Sequence, residues 1–300
     1  MDFATQNFVI SGDIGGSHFT AAVIDLEHKK VIDHTRRRSS VDCQGKADDI
    51  LNNWVDTIRQ VQEAFGSDVD KISLAMPGPF DYEGGVSLIT GLDKYESIFG
   101  INVKLYLSKA LKVPVDHIRL RNDAEAFLHG EVMAGSGRGN GKTVGITFGT
   151  GMGSAVSLDG TTRDANWGSD PFGASIADDY FSTRWFVKAY ALISKKCAGV
   201  RELAELAVSD DDAAGIFRSF ARNFSTFIAE KLNEEQPARM VIGGNISKAH
   251  GFFLAKLKKE LARQFDPSRI HIASLGEDAA MIGAAFTFPA FNHEVKQQSI

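Results

Sequence analysis

Apolar positions along the chain follow two alternating rhythms. Phe8 to Gly12 is a short run of apolar and small residues that meets Asp13-Ile14-Gly15-Gly16, and a second apolar run, Phe19 to Ile24, ends at Asp25. A third follows at Val31 to Thr35. Short apolar runs joined by a glycine turn predict a hairpin meander. The period then changes. Leu51, Trp54, Ile58, Val61 and Phe65 recur every three or four positions and predict an amphipathic helix over 48–65. Lys71 to Ala75 reads as a buried strand, broken by Met76-Pro77-Gly78-Pro79. Val103, Leu107 and Leu111 mark a helix that ends before Pro114, and Ile118 to Arg121 is a short strand leading through Asn122-Asp123 into a helix over 124–134.

After a glycine-rich loop, 135–141, the rhythm starts again. Thr143 to Phe148 is a strand, Gly149 to Gly153 a glycine turn, and a second strand runs to Leu158. Helices are expected over 176–207 and 213–233, the latter with Phe217, Phe220, Phe224, Phe227 and Leu232 on one face. A strand at Met240 to Ile242 meets Gly243-Gly244-Asn245. A last strand, Ile270 to Ala273, precedes a helix from about Asp278. A strand–glycine turn–strand unit opens each half, which suggests two related α/β domains.

Composition narrows the functional classes. The 300 residues carry 24% charged side chains and a net charge of -5, so a general nucleic-acid surface is not expected. Arg36-Arg37-Arg38 is read as a solvated strand end rather than a phosphate patch. The two cysteines, Cys43 and Cys197, are too far apart in sequence to suggest a disulfide framework or a cysteine metal site. With no signal peptide or long apolar span visible, a cytoplasmic protein without membrane or nucleic-acid partners is expected.

The chemistry concentrates at three glycine turns that follow strands, 13–17, 149–153 and 243–245. Glycine lets backbone N–H groups approach a ligand closely, and clustered N–H groups hold anions. Ser17 and Thr150 add hydroxyls. A carboxylate in such a turn, Asp13, suits a phosphate site only if it helps hold a cation such as the Mg²⁺ that accompanies nucleotides. Each turn alone could be no more than a tight hairpin. The loop 136–143 nearly matches a P-loop, but it follows a helix and enters a strand, the reverse of what that motif needs. No GxGxxG opens a helix after the first strand, so a Rossmann site is not expected. Asn122 and Asp123 could serve as helix caps. A carboxylate there could equally take the proton of an attacking hydroxyl in phosphoryl transfer.

Taken in order, these motifs resemble those of the ROK family (repressors, open reading frames and kinases). Gly12 to Ser17, with Asp25 closing the next strand, is similar to its first phosphate motif, and Gly149 to Gly153 to its second. Met76 to Pro79 resembles its sugar-side turn and Asn122-Asp123-Ala124 its catalytic motif. Gly243 to Ser247 resembles its adenosine motif, and Gly276 to Ala280 with Ile282 to Ala285 its closing helix. The resemblance implies the two-domain actin-like ATPase, or hexokinase (ribonuclease H-like), fold. The domains would be 1–120, rejoined by a C-terminal helix at 289–300, and 121–288.

It also implies ATP-dependent phosphorylation of a sugar with Asp123 as base. ATP would be held by Asp13, Gly15, Gly16, Ser17, Thr150, Gly151, Gly153, Gly243, Gly244 and Asn245. Asp13 would help hold Mg²⁺ through water. Gly78, Asn122, Asp123, Asn166 and Asp170 would face the sugar, and a homodimer is the expected assembly. The chain departs from the family on the sugar side. Where family members carry a Glu and a His, this chain has Pro171 and Ala174, and an expected Asn is Gly91. The cysteine-rich zinc loop is missing, so no zinc is expected. With the first strand near residue 8, no helix-turn-helix is expected ahead of it. The altered sugar side keeps open two other readings: a non-catalytic sugar-sensing protein on this scaffold, or a kinase of another acceptor.

Overall fold

The computed structural model describes residues 7–290 except Asp93 and Ser194. Its contacts divide the chain into two compact units, residues 7–134 with 278–290, and Gly135–Glu277.

In the first unit, strands β1 (Phe8–Ile14), β2 (His18–Asp25), β3 (Lys30–Val31) and β4 (Arg37–Ser40) are followed by helix α1 (Ala47–Phe65) and strand β5 (Ile72–Met76). A small hairpin of β6 (Phe80–Asp81) and β7 (Val86–Ser87) precedes α2 (Val103–Leu111), β8 (Ile118–Asn122) and α3 (Asp123–Ala134). The main sheet has the order β3-β2-β1-β5-β8, with β4 also on β2. β1, β5 and β8 run parallel, and β2 is antiparallel to β1. The strand expected at 31–35 is shorter. It gives way to a 3-10 turn, Asp33–Thr35, whose Thr35 hydroxyl accepts from the Val23 N–H at 2.9 Å.

Strand alternation sorts this sheet into two chemically different faces. Ile10, Ile14, Ile72, Leu74, Ile118 and Leu120 join Trp54 and Ile58 of α1 in one apolar core. The other face carries Ser11, Ser73 and Ala75, all fully buried.

In the second unit, β9 (Thr143–Phe148), β10 (Met152–Leu158) and β11 (Thr161–Asp164) are followed by a hairpin of β12 (Pro171–Phe172) and β13 (Ser175–Ile176). Helices α4 (Ala177–Tyr180), α5 (Thr183–Ala191), α6 (Val200–Leu206) and α7 (Asp211–Glu235) come next, then β14 (Arg239–Gly243), α8 (His250–Leu261) and β15 (Ile270–Ile272). The sheet order is β11-β10-β9-β14-β15, with β9, β14 and β15 parallel and β10 antiparallel to β9. Strand for strand this repeats the first unit, so the suspected internal duplication spans five strands. The phenylalanines expected on one face of α7 are buried, and Phe148 meets Phe224 edge-on at 4.8 Å. The single helix expected over 176–207 is three helices. Phe181 and Ser182, both fully buried, separate the first two, and Gly199 precedes the third.

Helix α9 (Asp278–Ala285) returns to the first unit and packs on α3. The approach is close enough to exclude a Cβ. One built on Gly130 would lie 2.0 Å from the Ala279 carbonyl oxygen, and one on Gly283 would lie 1.8 Å from that of Ala126. Ser11 Oγ donates to Met281 O at 2.7 Å and Ser73 Oγ to Ala284 O at 2.6 Å, fastening α9 to the small-residue face of the sheet. This packing keeps β8 and α3 in the first unit, so contacts change over after Ala134 rather than near residue 120. The returning segment begins at Asp278, and the expected helix 289–300 falls, from residue 291 on, outside the described residues. Arg36 pairs with Asp278 at 2.8 Å and with Asp33 at 3.2 Å, while Arg37 and Arg38 lie in β4.

Two stability predictions follow from this packing. In an ordinary helix, Gly→Ala stabilises by about 1 kcal/mol. Gly130→Ala or Gly283→Ala should instead destabilise by about 1–3 kcal/mol or more, as overpacking does. Urea midpoints read the sign, and a raised midpoint would show that the two helices can separate freely. On the same helix, His129 is buried against Phe286, and burial followed by the Arg121 charge pushes its pKa from the ordinary 6.5 down to about 4. Between those values the unfolded chain binds the proton and the folded chain does not. Stability should therefore fall as pH drops from about 6.5 toward 4, by at most ~3 kcal/mol from this group. His129→Gln should flatten that part of the profile.

Candidate active site

The carboxyl ends of β1, β5 and β8 lie side by side, as the pairs Asp13–Ala75, Ala75–Arg121 and Met76–Asn122 show. In parallel sheets, ligands collect at this edge. Two strand spacings, about 10 Å, separate the end of β1 from that of β8. Three of the expected motifs are thus neighbours: the turn after Asp13, the Met76–Pro79 segment, and Asn122-Asp123.

At the end of β8 the two candidate residues divide two roles. Asn122 is buried and its Oδ1 accepts from the N–H groups of Ala124, at 2.9 Å, and Glu125, at 3.1 Å. That is the N-cap of α3. Its Nδ2 donates to the Tyr82 hydroxyl at 3.3 Å, and that hydroxyl donates to Met76 O at 3.2 Å. Gly78 lies in the same turn, where an added Cβ would come within 3.0 Å of the Tyr82 hydroxyl. Asp123 is exposed at the first position of the helix, one carboxylate oxygen accepting from Ala124 N–H at 2.8 Å.

The first glycine turn is exposed at Gly15, Gly16 and Ser17, with Asp13 half-buried beneath it. Gly15 N–H donates to His18 O at 2.9 Å, and the Ser17 hydroxyl bonds His18 Nδ1 at 2.8 Å. From 80 residues away in sequence, the Tyr95 hydroxyl donates to Gly15 O at 2.5 Å. Sequence reasoning missed both tyrosines: Tyr95 acts on a backbone oxygen 80 residues away, and Tyr82 ties Met76 O, six residues back, to the Asn122 side chain.

In the second unit, the turn 149–153 is held from outside by α4 and α5. Gly149 O accepts from the Thr183 N–H and hydroxyl, both at 2.9 Å, and Thr150 O accepts from Arg184 at 3.3 Å. Asp178 accepts from Met152 N–H at 2.5 Å and pairs with Arg184 at 2.7 Å, and a Cβ on Gly151 would lie 2.6 Å from its carboxylate. Asp178 thus supports the turn, and Gly153 is already within β10. After β14, Gly244 takes φ 80°, and a Cβ there would lie 2.3 Å from Phe148 O. Only glycine lets 243–245 cross the end of β9 this closely. Beside it is a cavity of about 570 Å³, lined by Thr183, Val200, Ala204, Asn245, Ile246 and Lys248 among others. Its lining is mostly apolar with a few polar groups, as in small-molecule sites.

The remaining expected sugar residues lie in this unit. Asn166 is exposed at φ 50°, its side chain accepting from the Ser169 hydroxyl at 3.1 Å. Asp170 pairs with Lys231 at 2.7 Å. Trp167 is buried in the core and its backbone N–H donates to Ser154 Oγ at 2.9 Å, so it is a packing residue. Pro171 and Ala174 lie exposed in the β12–β13 hairpin. Among the described residues, no group of three or more His, Cys, Asp or Glu is placed to hold a metal ion. No helix among them is long and apolar enough to cross a membrane.

Comparison with known proteins gives a consistent result. The ROK family model matches residues 9–170 and 176–290. A glucokinase from Thermotoga maritima is 26% identical, over 92% of this chain and 96% of that protein. An N-acetylmannosamine kinase from Haemophilus influenzae is 22% identical over 91% and 93% respectively. The structure of a ROK glucokinase from Streptomyces griseus, solved with glucose and AMPPNP, superposes with a TM-score of 0.76 at 21% identity, covering 93% of this chain and 98% of that one. The fold is the actin-like ATPase fold of the hexokinases, and the chain belongs to the ROK family.

Proposed function

We propose that this protein transfers the γ-phosphoryl group of ATP to a hydroxyl of a sugar, a hexose or an amino sugar, with Asp123 as general base. The observation that carries the reading is the division of roles at the end of β8. Because Asn122 caps α3, the Asp123 carboxylate is not needed there as a cap and stays exposed at the sheet edge that bears the first glycine turn. As the acceptor oxygen attacks phosphorus in line, Asp123 takes the hydroxyl proton.

Phosphates fall to the turns 13–17 and 149–153, and the nucleoside to the cavity beside Gly243, Gly244 and Asn245. Mg²⁺ would enter with the nucleotide, held through water by Asp13, and would neutralise phosphate charge. No zinc is called for. Gly78, Asn122, Asn166 and Asp170 serve the acceptor, and the relatives named as sugar kinases support a sugar in that place.

One observation favours a second reading, a sugar-sensing protein without catalysis. Pro171, Ala174 and Gly91 stand where the family motifs put Glu, His and Asn, and none offers a polar side chain. Phosphoryl transfer nonetheless accounts for both anchored turns, which sugar sensing alone would not require.

ADP release measured over glucose, fructose, mannose and their N-acetyl forms separates the two. Turnover with at least one sugar is expected, with glucose a poor substrate, since each lost hydrogen bond to a buried hydroxyl costs about 1–3 kcal/mol. Asp123→Asn should lower kcat by roughly 10²–10⁴-fold while thermal midpoint and ATP affinity stay put. Sugar binding without ADP release from any acceptor would support the sensor, and a variant within a few-fold of wild-type kcat would remove Asp123 from the base role.

A further inference from the structure

We propose that Tyr95 is a positioning residue for phosphate binding. Its hydroxyl holds the Gly15 carbonyl inward and thereby aims the Gly16 N–H at the nucleotide phosphates. The inference rests on the reading of 13–17 as a phosphate turn.

The Tyr95 ring is 1% exposed and stands edge-on to Trp54 at 5.7 Å. Its own N–H donates to Cys43 O at 2.6 Å, so ring and backbone are both fixed. The phenol donates to Gly15 O at 2.5 Å. Burial, followed by the charges of Cys43 and Asp13, pushes the phenol pKa far above its ordinary value, which keeps the hydroxyl protonated as a donor.

The consequence lies in one peptide unit. The Gly15 carbonyl and the Gly16 N–H belong to the same planar trans amide, so they point in opposite directions. With the oxygen tied to a buried phenol, the N–H is turned to the open side. A Cβ on Gly16 would meet nothing within 4 Å. The peptide also joins two glycines, whose backbones are the freest of all, and nothing local would hold its orientation. The second unit treats its own turn the same way, with Thr183 and Arg184 on the carbonyls of Gly149 and Thr150.

Tyr95→Phe removes one hydroxyl and keeps the ring. ATP affinity by calorimetry should fall roughly three- to tenfold, the loss expected for one hydrogen bond. The KM for ATP should rise in step, while the KM for the acceptor and adenosine affinity stay near wild type and the ligand-free thermal midpoint falls by no more than one hydrogen bond accounts for. Unchanged ATP affinity would overturn the proposal. So would an equal loss toward ATP, adenosine and acceptor, or a lowered midpoint that accounts for the whole effect, since either means that the phenol only supports the fold. A wild-type chain that binds no ATP would instead overturn the nucleotide reading, and this inference with it.

Discussion

The close packing of α3 on α9 is the constraint on which the first unit's site depends. Both helices lie against the small-residue face of the sheet, and at Gly130 and Gly283 each touches the other's backbone. Buried Ala75, Ala126 and Ala284 fill the layer beneath. Dispersion contacts at this range leave little room to slide, because a gap of even half an ångström forfeits much of the attraction. The serine hydroxyls of β1 and β5 end on α9 carbonyls and set its height above the sheet. Since α3 begins at Asp123, fixing α3 fixes the carboxylate at the strand ends. Arg121 adds a tie from the same strand, donating to Gly283 O at 3.2 Å and pairing with Glu125 at 3.3 Å.

The duplicated strand order explains why the two glycine turns look alike and why neither is self-sufficient. Each joins the first two strands of its sheet, β1 to β2 and β9 to β10, at the edge where parallel strands end. Glycine makes close approach to an anion possible and also leaves the peptide planes free to rotate. A site that must present N–H groups in one direction needs the opposite carbonyls held. In both units that task falls to a side chain far along the sequence, Tyr95 in one and Thr183 with Arg184 in the other. Preorganisation of this kind lowers what the ligand must spend on ordering its own site.

This arrangement also marks how far the sequence could be read. The paired strands, the helix over 48–65 and the phenylalanine face of α7 depend on local period, and period is written in the chain. The glycine turns, Asn122 and Asp123 were legible because motif spacing carried them. The sequence left open which of Asn122 and Asp123 caps the helix, since both residue types do so; only the geometry separates them. Tyr95 carries no local signal at all. It sits in a loop, and its partner is a carbonyl 80 residues away. Asp178 likewise carries no local signal of its role: its carboxylate is committed to Met152 N–H and Arg184, both outside its own short helix. The long helix expected over 176–207 was misread for the opposite reason. Its residues favour helix, and tertiary contacts at Phe181 and Ser182 break it where the chain must reach under the second turn.

Backbone strain argues in the same direction as the anchored turns. Among the described residues, non-glycine positions with positive φ are Lys29, Tyr95, Lys112, Asp159, Asn166 and Gln236. Lys112 and Gln236 end helices, where the left-handed conformation is a common stop. Lys29 and Asp159 lie in the hairpin turns after β2 and β10. Asn166 is of a type that tolerates the region. Tyr95, at φ 56°, precedes the 3-10 turn Glu96–Ile98 as Asn166 precedes Trp167–Ser169, but its residue type does not favour the region, and such a conformation costs of order 1–3 kcal/mol. A buried aromatic could satisfy the core without it. What the conformation adds is a phenol placed on Gly15 O, which matters to a protein that grips phosphate and would matter little to one that only senses a sugar. The acceptor side shows the reverse pattern, with Pro171 and Ala174 exposed in a short hairpin and Asp170 already paired to Lys231. Anchoring contacts are thus built at the turns proposed to hold phosphate, which weighs for the kinase over the sensor.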